Sequence, residues 1–380
     1  MTVRTGGERL VEDPSLIPGN KWGFVTNYTA VLPDQELVIT ALRRKSAIVK
    51  RVFSPEHGLR GTAQAGFSEQ TANDPLTGLP VVDTYGLTPK DLRDSMKGLD
   101  AVVADIQDVG ARLFTYAWTV LDCMRAAAGE GIPFYVLDRP NPLSGAVRGG
   151  PGLEPACESF VGRMNVPLRH GLTLGELMRE AAAREGLPQP EVVTMVGWRR
   201  SMYWPQTGLE WVLPSPNLPT FSSALVYPGT ALLEGTNLSE GRGTTKPFQL
   251  VGAPWLSESF ARALRGLELP GVTFRADWFQ PTFQKYSGET LGGAELYVTD
   301  VNQFDPVGVG VAVLQVASQL SRGRFSWRMP EWDTSSDRRP FVDLLWGSPV
   351  LREGLSELTY PELLQSSPKP APLLTELLYQ

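Results

Sequence analysis

Short runs rich in valine, isoleucine and aromatic residues recur through the first 140 residues, each followed by a polar cluster and then a helical stretch. The runs are Trp22–Val25, Ile48–Phe53, Val81–Val82, Ala101–Ala104 and Phe134–Leu137. They lack strict apolar/polar alternation, which is the pattern of strands covered on both faces of a parallel sheet. The intervening segments read as helices. Asp34–Lys45 has an acidic start and a basic end, matching the helix dipole. Leu113–Gly129 closes on an alanine-rich stretch and a glycine stop. Strands alternating with helices specify an α/β, doubly wound domain.

Beyond residue 140 the pattern loosens. Residues 141–260 are rich in glycine, proline and tryptophan, with a helix expected over Leu172–Glu185 and a strand over Val192–Val196. Later, Val272–Phe274 and Ala294–Val298 read as strands, Val307–Leu320 as a buried helix and Asp343–Gln365 as short helices. A last helical turn is expected over Leu373–Leu378. This part reads as a smaller α+β domain, and no internal repeat is visible.

In open α/β sheets ligands bind outside the carboxyl ends of the strands, so the residues after each apolar run carry the functional expectation. They are Thr26-Asn27-Tyr28, then Ser54-Pro55-Glu56-His57-Gly58, then Asp105-Ile106-Gln107-Asp108 with Arg112, Thr115 and Tyr116, then Asp138-Arg139-Pro140-Asn141. Asp105 has a second reading as a helix cap, and Asp138 as a partner of Arg139 or Arg112. Glu56 is the strongest candidate, because its proline and glycine neighbours fix the backbone yet offer no helix to cap. His57 is expected to hydrogen-bond and orient Glu56, and His170 to be structural.

Two later segments add to this edge. Glu234–Thr245 packs Glu234, Asn237, Glu240, Arg242 and hydroxyls into a glycine-rich loop able to present backbone N–H groups to an anion. Trp198, Tyr203, Trp204 and Trp211 lie among prolines, and suit either the apolar faces of sugar rings or interdomain packing.

Composition removes several function classes. Lys+Arg 35 against Asp+Glu 41 gives a net charge of −6 without blocks, which argues against a nucleic-acid partner. Two histidines and two cysteines leave little for zinc, thiol redox or disulfide chemistry. Neither G-x-G-x-x-G nor G-x-x-x-x-G-K-[ST] nor G-x-S-x-G occurs. No cofactor and no metal are expected, although Asp105 with Asp108 is a conceivable cation pair. The polar start and the lack of a long apolar stretch predict a cytoplasmic protein with no membrane partner. Carboxylate chemistry is what remains.

At these residues the chain resembles a known family. Ser54–Gly58, Asp105–Tyr116, Asp138–Leu143, Trp211–Thr220, Glu234–Thr245 and the closing Leu377-Leu378-Tyr379 are similar to the NamZ-type exo-β-N-acetylmuramidases. The likeness runs from about Gly23 to the end and is weakest over roughly 320–370. It implies a Rossmann-like parallel-sheet catalytic domain, here 1–260, and a smaller α+β auxiliary domain, here 261–380. It also implies release of N-acetylmuramic acid from the non-reducing ends of peptidoglycan fragments, so the partners expected are peptidoglycan-derived saccharides. Family members are often exported. The glutamate the family relies on falls on Glu56.

Glycoside hydrolysis needs an acid for the leaving oxygen and a second group for the oxocarbenium-like centre. Glu56 is expected as the acid, with Glu240, Asp105 or Asp108, or the substrate acetamido oxygen, in the second role. Arg112, Arg139 and Arg242 are candidates to grip the lactyl carboxylate bidentately. Asn27, Gln107, Tyr116, Asp138, Asn141 and Asn237 complete the expected substrate-binding set. Two other readings are a non-catalytic protein that binds peptidoglycan fragments, and an N-acetylglucosaminidase needing no arginine clamp.

Overall fold

The structure, a computed structural model, describes residues 2–45, 49–64, 66, 67, 69, 72–331 and 338–380. Six strands pair in parallel in the order β3-β2-β1-β4-β5-β6. They are β1 Trp22–Thr26, β2 Val49–Ser54, β3 Val81–Asp83, β4 Ala101–Asp105, β5 Phe134–Leu137 and β6 Glu191–Val193. That order is the doubly wound Rossmann arrangement, in which the chain reverses direction across the sheet between β1 and β4. Ile48, the expected start of the second run, lies outside the described residues. β1, β4 and β5 are buried at every position, whereas the edge strands β3 and β6 are only partly covered. The uninterrupted apolar runs therefore mark the central strands, as the two-face covering requires.

The second sheet is small and antiparallel, ordered β7-β9-β8, from β7 Leu250–Ala253, β8 Val272–Phe279 and β9 Leu291–Val298. β7 is an element that the sequence reading did not single out. The helix Pro306–Leu320 and the helix Phe221–Thr230 cross in near backbone contact, through Gly229 and Gly310. A Cβ at Gly310 would stand 2.4 Å from the Gly229 carbonyl oxygen, so neither position has room for a side chain. One apolar core runs from Val25 and Phe53 under the parallel sheet to Val313, Trp346 and Leu363, so the two sheets share a continuous interior.

Helix starts follow local chemistry. The expected Asp34–Lys45 helix begins at Val38, because the Asp34 carboxylate binds the Glu36 N–H and holds a turn. The Leu172–Glu185 helix begins at Leu174, where Thr173 and Glu176 form a reciprocal capping box. The expected turn over Leu373–Leu378 is not helical. Glu180 accepts from the Leu374 and Thr375 N–H groups, and Glu176 accepts from the Leu378 N–H, so these donors are taken by carboxylates and the tail runs as a strap. The strap ends with the Tyr379 hydroxyl donating to Asp138 Oδ2 at 2.7 Å, behind the sheet edge. Among the described residues no helix is long and apolar enough to cross a membrane.

Candidate active site

Glu56 is delivered by the end of β2. Pro55 closes the strand, and the chain then turns through His57 at φ 71° and Gly58 at φ 82°, with the Gly58 N–H bonding back to the Pro55 carbonyl. A non-glycine residue in the left-handed region is strained, and histidine is among the residues that tolerate it. Gly58 has no such latitude, since a Cβ there would lie 2.3 Å from the Glu69 side chain. The tight turn aims Glu56 away from the sheet while keeping its carboxylate mostly buried.

Two donors fix that carboxylate. The Gly66 N–H reaches Oε1 at 2.6 Å, and the Thr115 hydroxyl reaches Oε2 at 2.7 Å. Thr115 is the N-cap of the helix Tyr116–Gly129 but makes no side-chain cap, because its hydroxyl is committed to Glu56. The carboxylate thus sits at the positive end of a 14-residue helix. His57 Nδ1 lies 2.9 Å from the Ala63 carbonyl, and its backbone N–H donates to the Phe67 carbonyl. Burial pushes the imidazole below its ordinary range, against the opposing pull of the Glu56 charge, so the ring is held neutral.

Glu56 and His57 line a cleft of about 360 Å³, within the range of small-molecule sites. Its other charged lining comes from the second half of the chain: Glu234, Glu240, Arg242, Lys285, Arg328 and Glu331. Arg242 Nε pairs with Glu240 at 3.2 Å, and its terminal nitrogen with Glu234 at 2.9 Å. Lys285 binds Glu240 at 2.9 Å together with the Leu233 and Leu238 carbonyls. Burial would raise both carboxyls, and it prevails for Glu234. For Glu240 the Lys285 ammonium and the Arg242 guanidinium outweigh burial and hold it below the usual carboxylate range. The cleft therefore contains one firmly ionised carboxylate, clamped by two cations, alongside Glu56, whose two oxygens accept neutral donors.

Several expected residues are elsewhere. Arg112 is fully buried and donates to the Pro151, Val166, Leu345 and Trp346 carbonyls, which removes it as a lactyl clamp. Burial without a counter-ion pulls it down to about 9. Arg139 forms a buried ion pair with Asp105 at 2.5 Å, so neither reaches the cleft. Asp108 is turned toward His170 at 3.2 Å and accepts from the Gly110 N–H. His170 Nδ1 accepts from the Leu172 N–H, which places the ring proton on Nε2 facing Asp108 and makes His170 structural.

The amides are likewise internal. Asn27 binds Thr29, Gln107 donates to the Asp108 and Pro140 carbonyls, and Asn141 donates to the Leu172 carbonyl. The Tyr116 hydroxyl donates to the Pro214 carbonyl. Asp138 holds Thr173, Gly175 and Tyr379. Asn237 binds the Arg324 carbonyl and the Ser326 N–H at a side pocket that shares Lys285 and Arg328 with the cleft. Of the three candidate arginines, Arg242 alone lines the cleft.

Trp198, Tyr203 and Trp204 are buried, and Trp211 packs edge-on against Trp204 at 5.1 Å, so this aromatic group is packing and not a sugar platform. The sequence reading missed Lys285 and Arg328. Lys285 belongs to the long connection from β8 to β9, whose length is its one sequence signal; Arg328 has none. Among the described residues no group of three His, Cys, Asp or Glu side chains is placed to hold a metal ion, and Asp105 with Asp108 is spent on Arg139 and His170.

Comparison with known proteins agrees with this architecture. Residues 22–222 match the family model described as exo-beta-N-acetylmuramidase NamZ, N-terminal, and residues 225–371 match its C-terminal counterpart. The chain is 45% identical over 325 residues to the peptidoglycan beta-N-acetylmuramidase NamZ of Bacillus subtilis (strain 168), covering 84% of this chain and 78% of that protein. A crystal structure of a DUF1343 family protein from Bacteroides fragilis NCTC 9343 superposes with a TM-score of 0.83 at 34% identity, over 96% of this chain and 94% of that one. A second DUF1343 structure from the same organism gives a TM-score of 0.72 at 25% identity with the same coverage.

Proposed function

The chain belongs to the NamZ family of exo-β-N-acetylmuramidases, and on that premise we propose that the cleft between Glu56 and the Glu240 cluster is where it cuts its substrate. The protein is an exo-acting glycoside hydrolase that releases N-acetylmuramic acid from the non-reducing ends of peptidoglycan fragments. Glu56 is the general acid: among the described residues its carboxyl is the one in the cleft that is free of a cationic partner, and it is aimed by Gly66 and Thr115. Glu240 cannot serve as that acid, because Lys285 and Arg242 keep it ionised. It stabilises positive charge developing at the anomeric carbon. His57 holds the loop of Glu56 through the Ala63 and Phe67 carbonyls.

Muramic acid differs from glucosamine by a lactyl carboxylate, which requires a cation with donors to spare. Arg242 is already shared by two carboxylates. Arg328 is about one third exposed in the cleft and pairs with Glu331, itself largely exposed, so a ligand carboxylate can displace that partner. The single observation carrying the reading is the Glu56 carboxyl, held by neutral donors in a cleft that a clamped, ionised Glu240 also lines.

The test is to incubate the protein with muramic- and glucosamine-capped disaccharides and identify the sugar released. Release of N-acetylmuramic acid alone is expected. Arg328→Met is expected to raise KM for the muramic substrate about tenfold or more, the worth of one charge-assisted pair. Equal cleavage of both substrates, or an unchanged KM in the variant, would refute the carboxylate clamp.

A further inference from the structure

We propose, resting on Glu56 as the acid, that the leaving-group side of the substrate exits over Tyr85 and Phe160 into a second groove. That groove takes the N-acetylglucosamine freed by the cut and the sugar beyond it. The two cavities adjoin: Tyr85 and Phe160 line both. The second has a volume of about 650 Å³, larger than the catalytic cleft. Tyr85 and Phe160 meet edge to face, with centroids 5.3 Å apart at 74°, forming a half-buried aromatic sill between them.

The direction follows from the acid. A general acid stands beside the glycosidic oxygen, so the leaving sugar begins where Glu56 is and extends away from the terminal one. Tyr85 lies on the Glu56 side; burial, and then the charges of Glu56 and Asp83, hold its phenol above the ordinary range. The Arg328 side of the cleft is left for the terminal muramic acid. Aromatic rings at the sill suit the apolar face of a pyranose, as amphipathic side chains with a buried body and a polar tip generally do.

Beyond the sill the lining is more apolar than polar, and its three arginines are paired with carboxylates in or behind the wall. Arg163 and Arg125 both hold Asp122, at 2.6 and 3.0 Å, Arg125 also holds Glu185 at 2.8 Å, and Arg93 faces Glu130 at 4.0 Å. Such pairs offer planar donors and acceptors to hydroxyls without demanding a charged ligand.

The test uses three substrates: an aryl N-acetylmuramide, a muramic-capped disaccharide and the corresponding tetrasaccharide. Leu87→Trp fills the groove and Arg93→Ala opens its rim; both positions are exposed, at 37% for Leu87 and 48% for the Arg93 side chain. In each variant the ratio of kcat/KM for tetrasaccharide over aryl glycoside is expected to fall about fivefold or more relative to wild type. Taking the ratio cancels leaving-group chemistry, and aryl turnover reports an intact catalytic cleft. An unchanged ratio in both variants, or equal losses on all three substrates, overturns the groove while leaving the catalytic reading in place. Failure of the wild type to release N-acetylmuramic acid from any substrate overturns both together.

Discussion

Replacing Glu56 by glutamine separates its chemical role from its structural one. The Gly66 N–H at 2.6 Å can only donate, so the glutamine carbonyl must take that place. The new NH2 then faces the Thr115 hydroxyl, 2.7 Å from Oε2 in the native protein, which can reverse and accept. Both hydrogen bonds survive as neutral pairs, and the unfolding free energy should change by about 1 kcal/mol or less.

Activity should respond very differently. Loss of a general acid costs roughly 10²–10⁴ in rate, or about 3–5 kcal/mol of transition-state stabilisation. The penalty depends on how much the leaving group needs a proton. A sugar alkoxide needs it fully, whereas a nitrophenolate scarcely does. Glu56→Gln is therefore expected to abolish turnover of the muramic-capped disaccharide while lowering that of the 4-nitrophenyl glycoside by about tenfold at most. Urea unfolding of the same preparation checks that the fold persists. Near-normal cleavage of the disaccharide, or equal losses on both substrates, would refute the assignment of Glu56 as the acid.

Two further outcomes follow from the buried charges. Arg242→Met strips Glu234 of its cation and Glu240 of one of two, and should lower the unfolding free energy by roughly 3–5 kcal/mol at neutral pH, with the deficit shrinking as pH falls, first as Glu234, raised by burial, protonates and only at lower pH as Glu240 does; a pH-independent deficit in urea melts contradicts this. Asp138, lifted by burial to about 6 from 3.8, binds its proton more tightly when folded. Its stabilising contribution is therefore complete below about pH 4 and is lost, up to roughly 3 kcal/mol, as pH rises through 6. The wild-type minus Asp138→Asn difference in unfolding free energy should fall across that window, and a rise would contradict the argument.

The parallel sheet was legible because its signal is local. Central strands covered on both faces must be apolar throughout, and β1, β4 and β5 are. Glu56 was legible for a related reason: a carboxylate between proline and glycine at a strand end has nothing nearby to bind. The same logic overreached at the other strand ends. Asp105, Arg112, Asp138 and Arg139 carry the same residue types at equivalent places, yet each is consumed inside the protein. Their partners are distant in the chain: Arg139 lies 34 positions from Asp105, Arg112 lies 234 from Trp346, and Asp138 lies 241 from Tyr379.

Sequence by itself thus determined the fold class and singled out Glu56 as a strand-end carboxylate with no local partner. Tertiary structure alone decided which charges face the cleft. Whether a carboxylate is a catalyst or a strut depends on what satisfies it, and a buried charge must be satisfied by something. For Asp138 that is the hydroxyl of the last tyrosine. For Glu240 it is Lys285, from a connection in the second sheet, and Arg242, from its own loop.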